Sequence, residues 1–155
     1  RAVTGGVKLE VDSETGEVNI DPTDSSDPLM VLKAAEFVKA VARGFSPERA
    51  MVLFNDDMYL QLFDIRDFCG KSPKQIRRLR SRIIGTDGRT RRIIEDLSGC
   101  EVSVYGNTVG VIGSFESMPV ATTAVEMVLS GSEHSTVYRF LESKRREMKR
   151  ARWAL

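Results

Sequence analysis

Two glycines, Gly85 and Gly88, stand as a GxxG pair in the stretch "RSRIIGTDGRTRRIIEDLSG". Arg77, Arg78, Arg80 and Arg82 lead up to them, and Arg89, Arg91 and Arg92 follow. Glycine has no Cβ, so a GxxG loop turns sharply and lets the backbone of a ligand come close. The run after Gly88 reads as a helix. Its unpaired N–H groups and the positive end of its dipole therefore face whatever approaches the loop, which suits a phosphate. Residues 71–92 hold nine Lys/Arg and one acid, Asp87, a local charge of 9 − 1 = +8. Asp87 sits in the loop itself and opposes an anion there. The candidate contact set is Arg77, Arg78, Arg80, Ser81, Arg82, Ile84, Gly85, Thr86, Asp87, Gly88, Arg89, Arg91 and Arg92. Ile84, Val102 and Val104 are the candidate apolar floor on which bases would lie.

The charge of the whole chain hides this concentration. The 155 residues sum to +1. Residues 1–70 carry 7 Lys/Arg and 13 Asp/Glu, which gives 7 − 13 = −6, whereas residues 71–155 carry 16 and 9, which gives 16 − 9 = +7. Such a split points to a polyanionic partner for the basic half. Lys8, Lys33 and Lys39, the lysines of the acidic half, are too scattered to line a groove.

Other chemistries find no support. One histidine, His134, excludes two-histidine metal sites and reads as a surface residue. Cys69 and Cys100 lack zinc-site spacing and read as free buried thiols. "GNTVGVIG" is not spaced as a dinucleotide fingerprint, and no phosphate-loop GxxxxGK occurs. The carboxylates form no catalytic pattern. Neither an enzyme, a metal nor a cofactor is expected. No apolar run reaches the ~18 residues of a membrane helix. "RAVTGGVKLE" has no signal-peptide core and no initiator Met, so a trimmed, cytoplasmic protein is expected.

The positioning elements follow from periodicity and punctuation. "VKLEV" and "VNI" read as a hairpin. A helix follows from Pro28, capped by Asp27, with Leu29, Leu32, Ala35, Val38 and Val41 or Ala42 inward and Gly44 as its stop. "SPERAMVLF" opens a short helix on Ser46. Residues 59–66 read as a strand with Leu60, Leu62 and Ile65 inward. "SPKQIRRLRSRII" is a helix with Ile76, Leu79 and Ile83 on one stripe, and after the GxxG loop Ile93, Ile94 and Leu97 mark the inner face of a second. Strands near 100–105 and 108–113 turn at Gly106–Asn107. Cys100, Val102 and Val104 alternate with Glu101 and Ser103, as expected of a sheet with one covered face. A helix ending at Gly131 and a last helix from about Ser132 complete the chain. Aligning Gly6 with Gly99 superposes two strand–strand–helix units, a partial internal repeat.

The order strand, helix, GxxG, helix, strand, strand, helix, with "IIGTDGRTRRIIEDLSGCEVSV" across it, resembles a type I KH domain. The resemblance covers residues 58–131 fully and 6–44 in part. It implies an α+β fold: a three-stranded sheet covered by three helices on one face, preceded by a partial KH-like strand–strand–helix unit. The implied domains are 1–50, a KH-like unit without its front half; 51–131, the type I KH domain; and 132–155, a basic helix. The phrases "VKLEVDSETGEV" and "GFSPERAM" resemble archaeal relatives of the eukaryotic small-subunit assembly factor known as the partner of the Nob endonuclease. That resemblance implies single-stranded RNA as ligand, namely the 3′ end of small-subunit ribosomal RNA. It also implies the Nob endonuclease and the alpha subunit of translation initiation factor 2 as partners. Lys144, Arg145, Lys149 and Arg150 offer a further contact to RNA or protein. The competing reading is a KH-fold interaction module that docks an acidic partner. The intact glycines with flanking arginines favour RNA.

Overall fold

The structure is a computed structural model, and it describes residues 2–4, 7–11, 14, 17–22 and 28–153. The proposed Asp27 cap lies outside these residues. The first unit contains strands β1 (Ala2–Thr4), β2 (Val7–Val11) and β3 (Val18–Pro22) in an antiparallel sheet of that order. The sequence reading foresees β2 and β3 but not β1. Three residues are too few to show an alternation, and β1 is defined by its pairing with β2.

Helix α1 (Pro28–Ala42) packs differently from its apolar pattern. Leu29, Leu32 and Val41 are exposed, while Lys33, Ala34 and Ala40 are buried and Met30 and Phe37 pack beside them. The expected inner stripe is thus turned by about one residue. The cause is Lys33: its ammonium donates to the Met58 carbonyl at 2.6 Å and lies 5.0 Å from the centre of the Tyr59 ring. Its aliphatic stem fills the interior while its head stays paired. The short helix α2 (Pro47–Ala50) starts on Ser46, whose hydroxyl accepts from the Arg49 amide at 3.3 Å. A 3-10 turn (Met51–Phe54) follows.

The second unit runs β4 (Met58–Asp64), α3 (Arg66–Cys69), α4 (Pro73–Ile84), a 3-10 turn (Thr86–Gly88), α5 (Arg89–Ser98), β5 (Glu101–Tyr105), β6 (Thr108–Ser114), α6 (Met118–Leu129) and α7 (His134–Trp153). Its sheet is antiparallel in the order β4-β6-β5. Ile76, Leu79 and Ile83 of α4 meet Ile94 of α5, Val102, Val109 and Val111 of the sheet, and Val125 and Val128 of α6 in one core. Val137 and Leu141 of α7 are fully buried in that same core. A boundary at residue 131 therefore cuts a packed unit, and the first half of α7 belongs with the KH core. Cys100 lies in this core, where burial pushes its thiol up to about 11, so it is an inert apolar filler.

The opposite face of the sheet is not open. Ile112 packs with Ala40, Phe45, Ala50 and Leu53, so a boundary at residue 50 also divides one cluster. Ser103 is buried there, and its hydroxyl donates to the Arg43 carbonyl at 3.3 Å. Along 100–104 the second face is thus covered at Ser103, while Glu101 stays partly exposed. Leu62, expected inside, is 37% exposed, whereas Phe63 packs into the helix-side core. Ile65 is fully buried, as its spacing suggests.

Candidate nucleic-acid interface

Helix α4 ends on Gly85, whose φ of 76° and ψ of 173° lie outside the range of side-chain-bearing residues. The chain then makes one tight turn. The Gly88 amide donates to the Gly85 carbonyl at 3.2 Å, and Asp87 takes a left-handed φ of 55°, which aspartate tolerates. Gly88 (φ 76°, ψ 13°) is the N-cap of α5. No side chain caps α5; the Arg89 amide donates back to the Thr86 carbonyl within the turn. The Arg92 guanidinium donates to the Asp87 carbonyl at 2.8 Å and braces the turn. Thr86 and Asp87 are exposed at the tip.

The arginines do not form one patch. With 100° per residue, the core stripe of α4 separates Arg77 and Arg80 on one side from Arg78 and Arg82 on the other. Arg77 and Arg80, with Arg66, Lys71 and Asn107, border a cavity of about 380 Å³ beside the sheet. The charge of Arg66 is partly matched there: its guanidinium grips the Asp64 carboxylate at 2.7–3.1 Å, and those bonds hold Asp64 down to about 2. Arg78, Ser81 and Arg82 instead face a cavity of about 670 Å³ together with Gly85, Thr86 and Arg89. Its remaining walls are Thr90, His134 and Tyr138, which the sequence reading leaves out of the site. They lie 48 and 52 residues from their partners: the Thr90 hydroxyl is 3.0 Å from the Tyr138 hydroxyl, and His134 Nε2 is 3.0 Å from the Arg82 carbonyl. No local pattern connects such residues.

Three candidates have structural duties. Val102 is fully buried, so it is a core residue and not a groove floor; Ile84 and Val104 keep partial exposure. Arg82 donates to the Val128 and Ser132 carbonyls and so caps the end of α6. Arg91 is tied to Glu95 at 2.9 Å and to the Val102 carbonyl at 3.4 Å. These bonds give the basic residue at position 91 a structural partner on its own helix and on β5. The Lys144 ammonium pairs with Glu147 at 3.2 Å, while Arg145, Lys149 and Arg150 are exposed.

Arg82→Ala is expected to lower stability by ~1–2 kcal/mol, the usual worth of lost bonds to buried carbonyls. Arg78→Ala, whose exposed side chain reaches only Gln75, should leave stability within ~0.5 kcal/mol. Urea unfolding of both variants checks this, and equal losses would mean that Arg82 is not a cap.

The edge of β5 is held by a cluster that begins outside the KH unit. The Glu95 carboxylate accepts from Arg49 at 2.6 Å, Arg91 at 2.9 Å and the Val102 amide at 2.9 Å, and Glu101 also pairs with Arg49. Glu95→Ala would leave two guanidinium groups and an edge amide without this acceptor. A loss of ~2–3 kcal/mol is expected in urea unfolding, with part of it restored in Glu95→Gln. A loss under ~0.5 kcal/mol would show that water replaces the carboxylate.

The element order, the GxxG turn and the sheet of order β4-β6-β5 agree with the family comparison. The model of the eukaryotic-type KH domain (type I), in its version for the second KH domain of PNO1, matches residues 59–146, more than half of the chain. The chain belongs to the type I KH-domain family. A second model, the first KH domain of Krr1, matches residues 3–56 of this KH protein. A KH domain-containing protein of Methanocaldococcus jannaschii is 49% identical over 151 residues, 97% of this chain and 66% of that protein. The pre-rRNA-processing protein PNO1 of Saccharomyces cerevisiae is 26% identical over 133 residues, 85% of this chain and 48% of that protein. The KH chain thus spans about half to two thirds of the length of these curated relatives. Among solved structures, Dim2p of Pyrococcus horikoshii is 48% identical with a TM-score of 0.82, over 88% of this chain and 80% of that one. The a/eIF2alpha–aDim2p–rRNA complex of the same organism contains a chain that is 46% identical with a TM-score of 0.85, over 92% of this chain and 78% of that one.

Proposed function

We propose that the second KH unit binds single-stranded RNA, with phosphates over Gly85–Arg89, and serves the processing of small-subunit ribosomal RNA in the cytoplasm. The observation that carries this reading is the GxxG turn at the start of α5, which no side chain caps and which exposed arginines flank. The preferred ligand is the 3′ end of small-subunit rRNA. The pre-rRNA-processing role in the name of PNO1 and the rRNA in the crystallised aDim2p complex support rRNA as the ligand, and the 3′ end is proposed on resemblance alone. The alpha subunit of initiation factor 2 is the proposed protein partner, supported by a/eIF2alpha in that complex. The Nob endonuclease is a further proposed partner, on resemblance alone. The protein would act by holding RNA for other factors and would cleave nothing itself. Among the described residues no helix is long and apolar enough to cross a membrane, and no cluster suits a metal ion.

The test is binding of short unpaired RNA against salt. Each phosphate contact contributes roughly 0.7 to the slope of log affinity against log salt for a single strand, so three or four contacts give a slope of roughly −2 to −3. A duplex of the same sequence should bind more weakly. Absence of RNA binding, together with salt-sensitive binding of an acidic protein, would favour the docking-module reading.

A further inference from the structure

Of the two cavities beside α4, only one includes residues of the GxxG turn itself, Gly85 and Thr86. The one between α4, the turn, α5 and α7 has a volume of about 670 Å³, the size of a nucleotide site, and no carboxylate among its lining residues. Arg78 and Arg89 are exposed at its rim, and Arg78 reaches only Gln75. Ser81 and Thr86 add hydroxyls, and the Tyr138 hydroxyl is fixed against Thr90.

Helix α7 extends this wall. His134 and Tyr138 line the cavity, and at 100° per residue Arg145 and Lys149 fall within about 60° of them on the same helix side, where the exposed Glu142, one turn after Tyr138, is the one opposing charge between them. Val137 and Leu141 border this side and enter the core, Leu141 only about 40° from Arg145, while Arg145 and Lys149 themselves are exposed. Arg145 lies about 10 Å beyond Tyr138 along the axis, and Lys149 about 6 Å further, spacings that a nucleotide chain can follow from phosphate to phosphate. The basic C-terminal helix is therefore not a separate patch. It continues a charged track that starts at the GxxG turn.

We infer that an RNA strand bound at the GxxG turn crosses it, places its next one or two nucleotides in the α4–α5–α7 cavity, and continues along Arg145 and Lys149 of α7. The inference rests on the proposed RNA function and adds a second subsite, with the phosphodiester backbone of the same strand as its ligand. Thr90, His134 and Tyr138 become part of the interface, together with Arg145 and Lys149. Arg77 and Arg80, on the sheet side, lie off this path.

The test uses the whole chain and a nested set of RNA oligonucleotides. A four-nucleotide core that binds is extended by two and then four nucleotides at its 5′ end, or at its 3′ end, and each dissociation constant is measured. Extension at one end only should tighten binding by about tenfold, the worth of one charge-assisted contact. Arg78→Glu should abolish most of the gain from the first two added nucleotides, and Arg145→Glu with Lys149→Glu the gain from the next two. In each variant the ratio of extended to core affinity is read, so a general loss of attraction cancels. Thermal melting checks that these exposed substitutions leave the fold intact. Equal gains at both ends, or a gain that survives Arg78→Glu, would overturn the inference while leaving the proposed function standing. Failure of every oligonucleotide to bind would overturn both.

Discussion

Thr86→Asp is expected to weaken binding of a short RNA by about 30- to 100-fold, or ~2–3 kcal/mol, with an unchanged melting temperature. Asp87 already places one negative charge at the tip of the turn. The φ of 55° at Asp87 and its carbonyl bond from Arg92 keep that residue fixed there. A second carboxylate at 86 would sit on the path of a phosphate approaching the α5 amides, where both repulsion and the loss of dipole attraction act. Thr86 is exposed, so the fold has no stake in its side chain. Fluorescence anisotropy in moderate salt measures the effect. An unchanged dissociation constant would mean that RNA does not use the turn.

The two loop glycines should separate cleanly. A Cβ at Gly85 would run into the Thr90 side chain and come within 2.6 Å of the Thr90 amide, which is backbone and cannot yield. Gly85 also holds φ 76° with ψ 173°, a region essentially reserved for glycine, at a cost of ~1–3 kcal/mol for any other residue. Gly85→Ala should therefore cost at least ~3 kcal/mol of stability when strain and collision combine. Gly88 has the same φ, but a Cβ there meets nothing within 4 Å. Gly88→Ala should cost only ~1–2 kcal/mol, the penalty of the left-handed conformation, and act mainly by standing between the backbone and a phosphate. Calorimetry beside RNA binding distinguishes them. Equal losses of melting temperature would mean that Gly85 does not pack on Thr90 as described.

These outcomes reflect what local sequence can and cannot encode. Helices α4 and α5 were legible because Ile76, Leu79, Ile83 and Ile94 keep helical spacing between a Ser-Pro start and a glycine stop. The β5–β6 hairpin was legible from alternating valines and the Gly106–Asn107 turn. The face of α1 was not, because its inward residue is Lys33, satisfied by a carbonyl and a ring that lie 25 and 26 residues away. The second covered face of the sheet escaped for a similar reason: Ile112 meets Phe45 and Leu53 only through the tertiary fold. At the site, the glycines and arginines announce themselves by type and spacing. Their division into cavity-lining Arg78, helix-capping Arg82 and carboxylate-bound Arg91 depends on partners that no spacing reveals.

The first unit sharpens the central claim. Its described residues include no GxxG turn, and residues 1–70 sum to −6, a charge that repels RNA. Binding should therefore be confined to the second unit and α7. The most direct test is photo-crosslinking of a bound single-stranded oligonucleotide that carries the 3′-terminal sequence of small-subunit rRNA, followed by peptide mapping. Crosslinks concentrated within residues 71–112 and along 134–152 are the predicted result. A dominant crosslink within residues 1–50 would contradict the account.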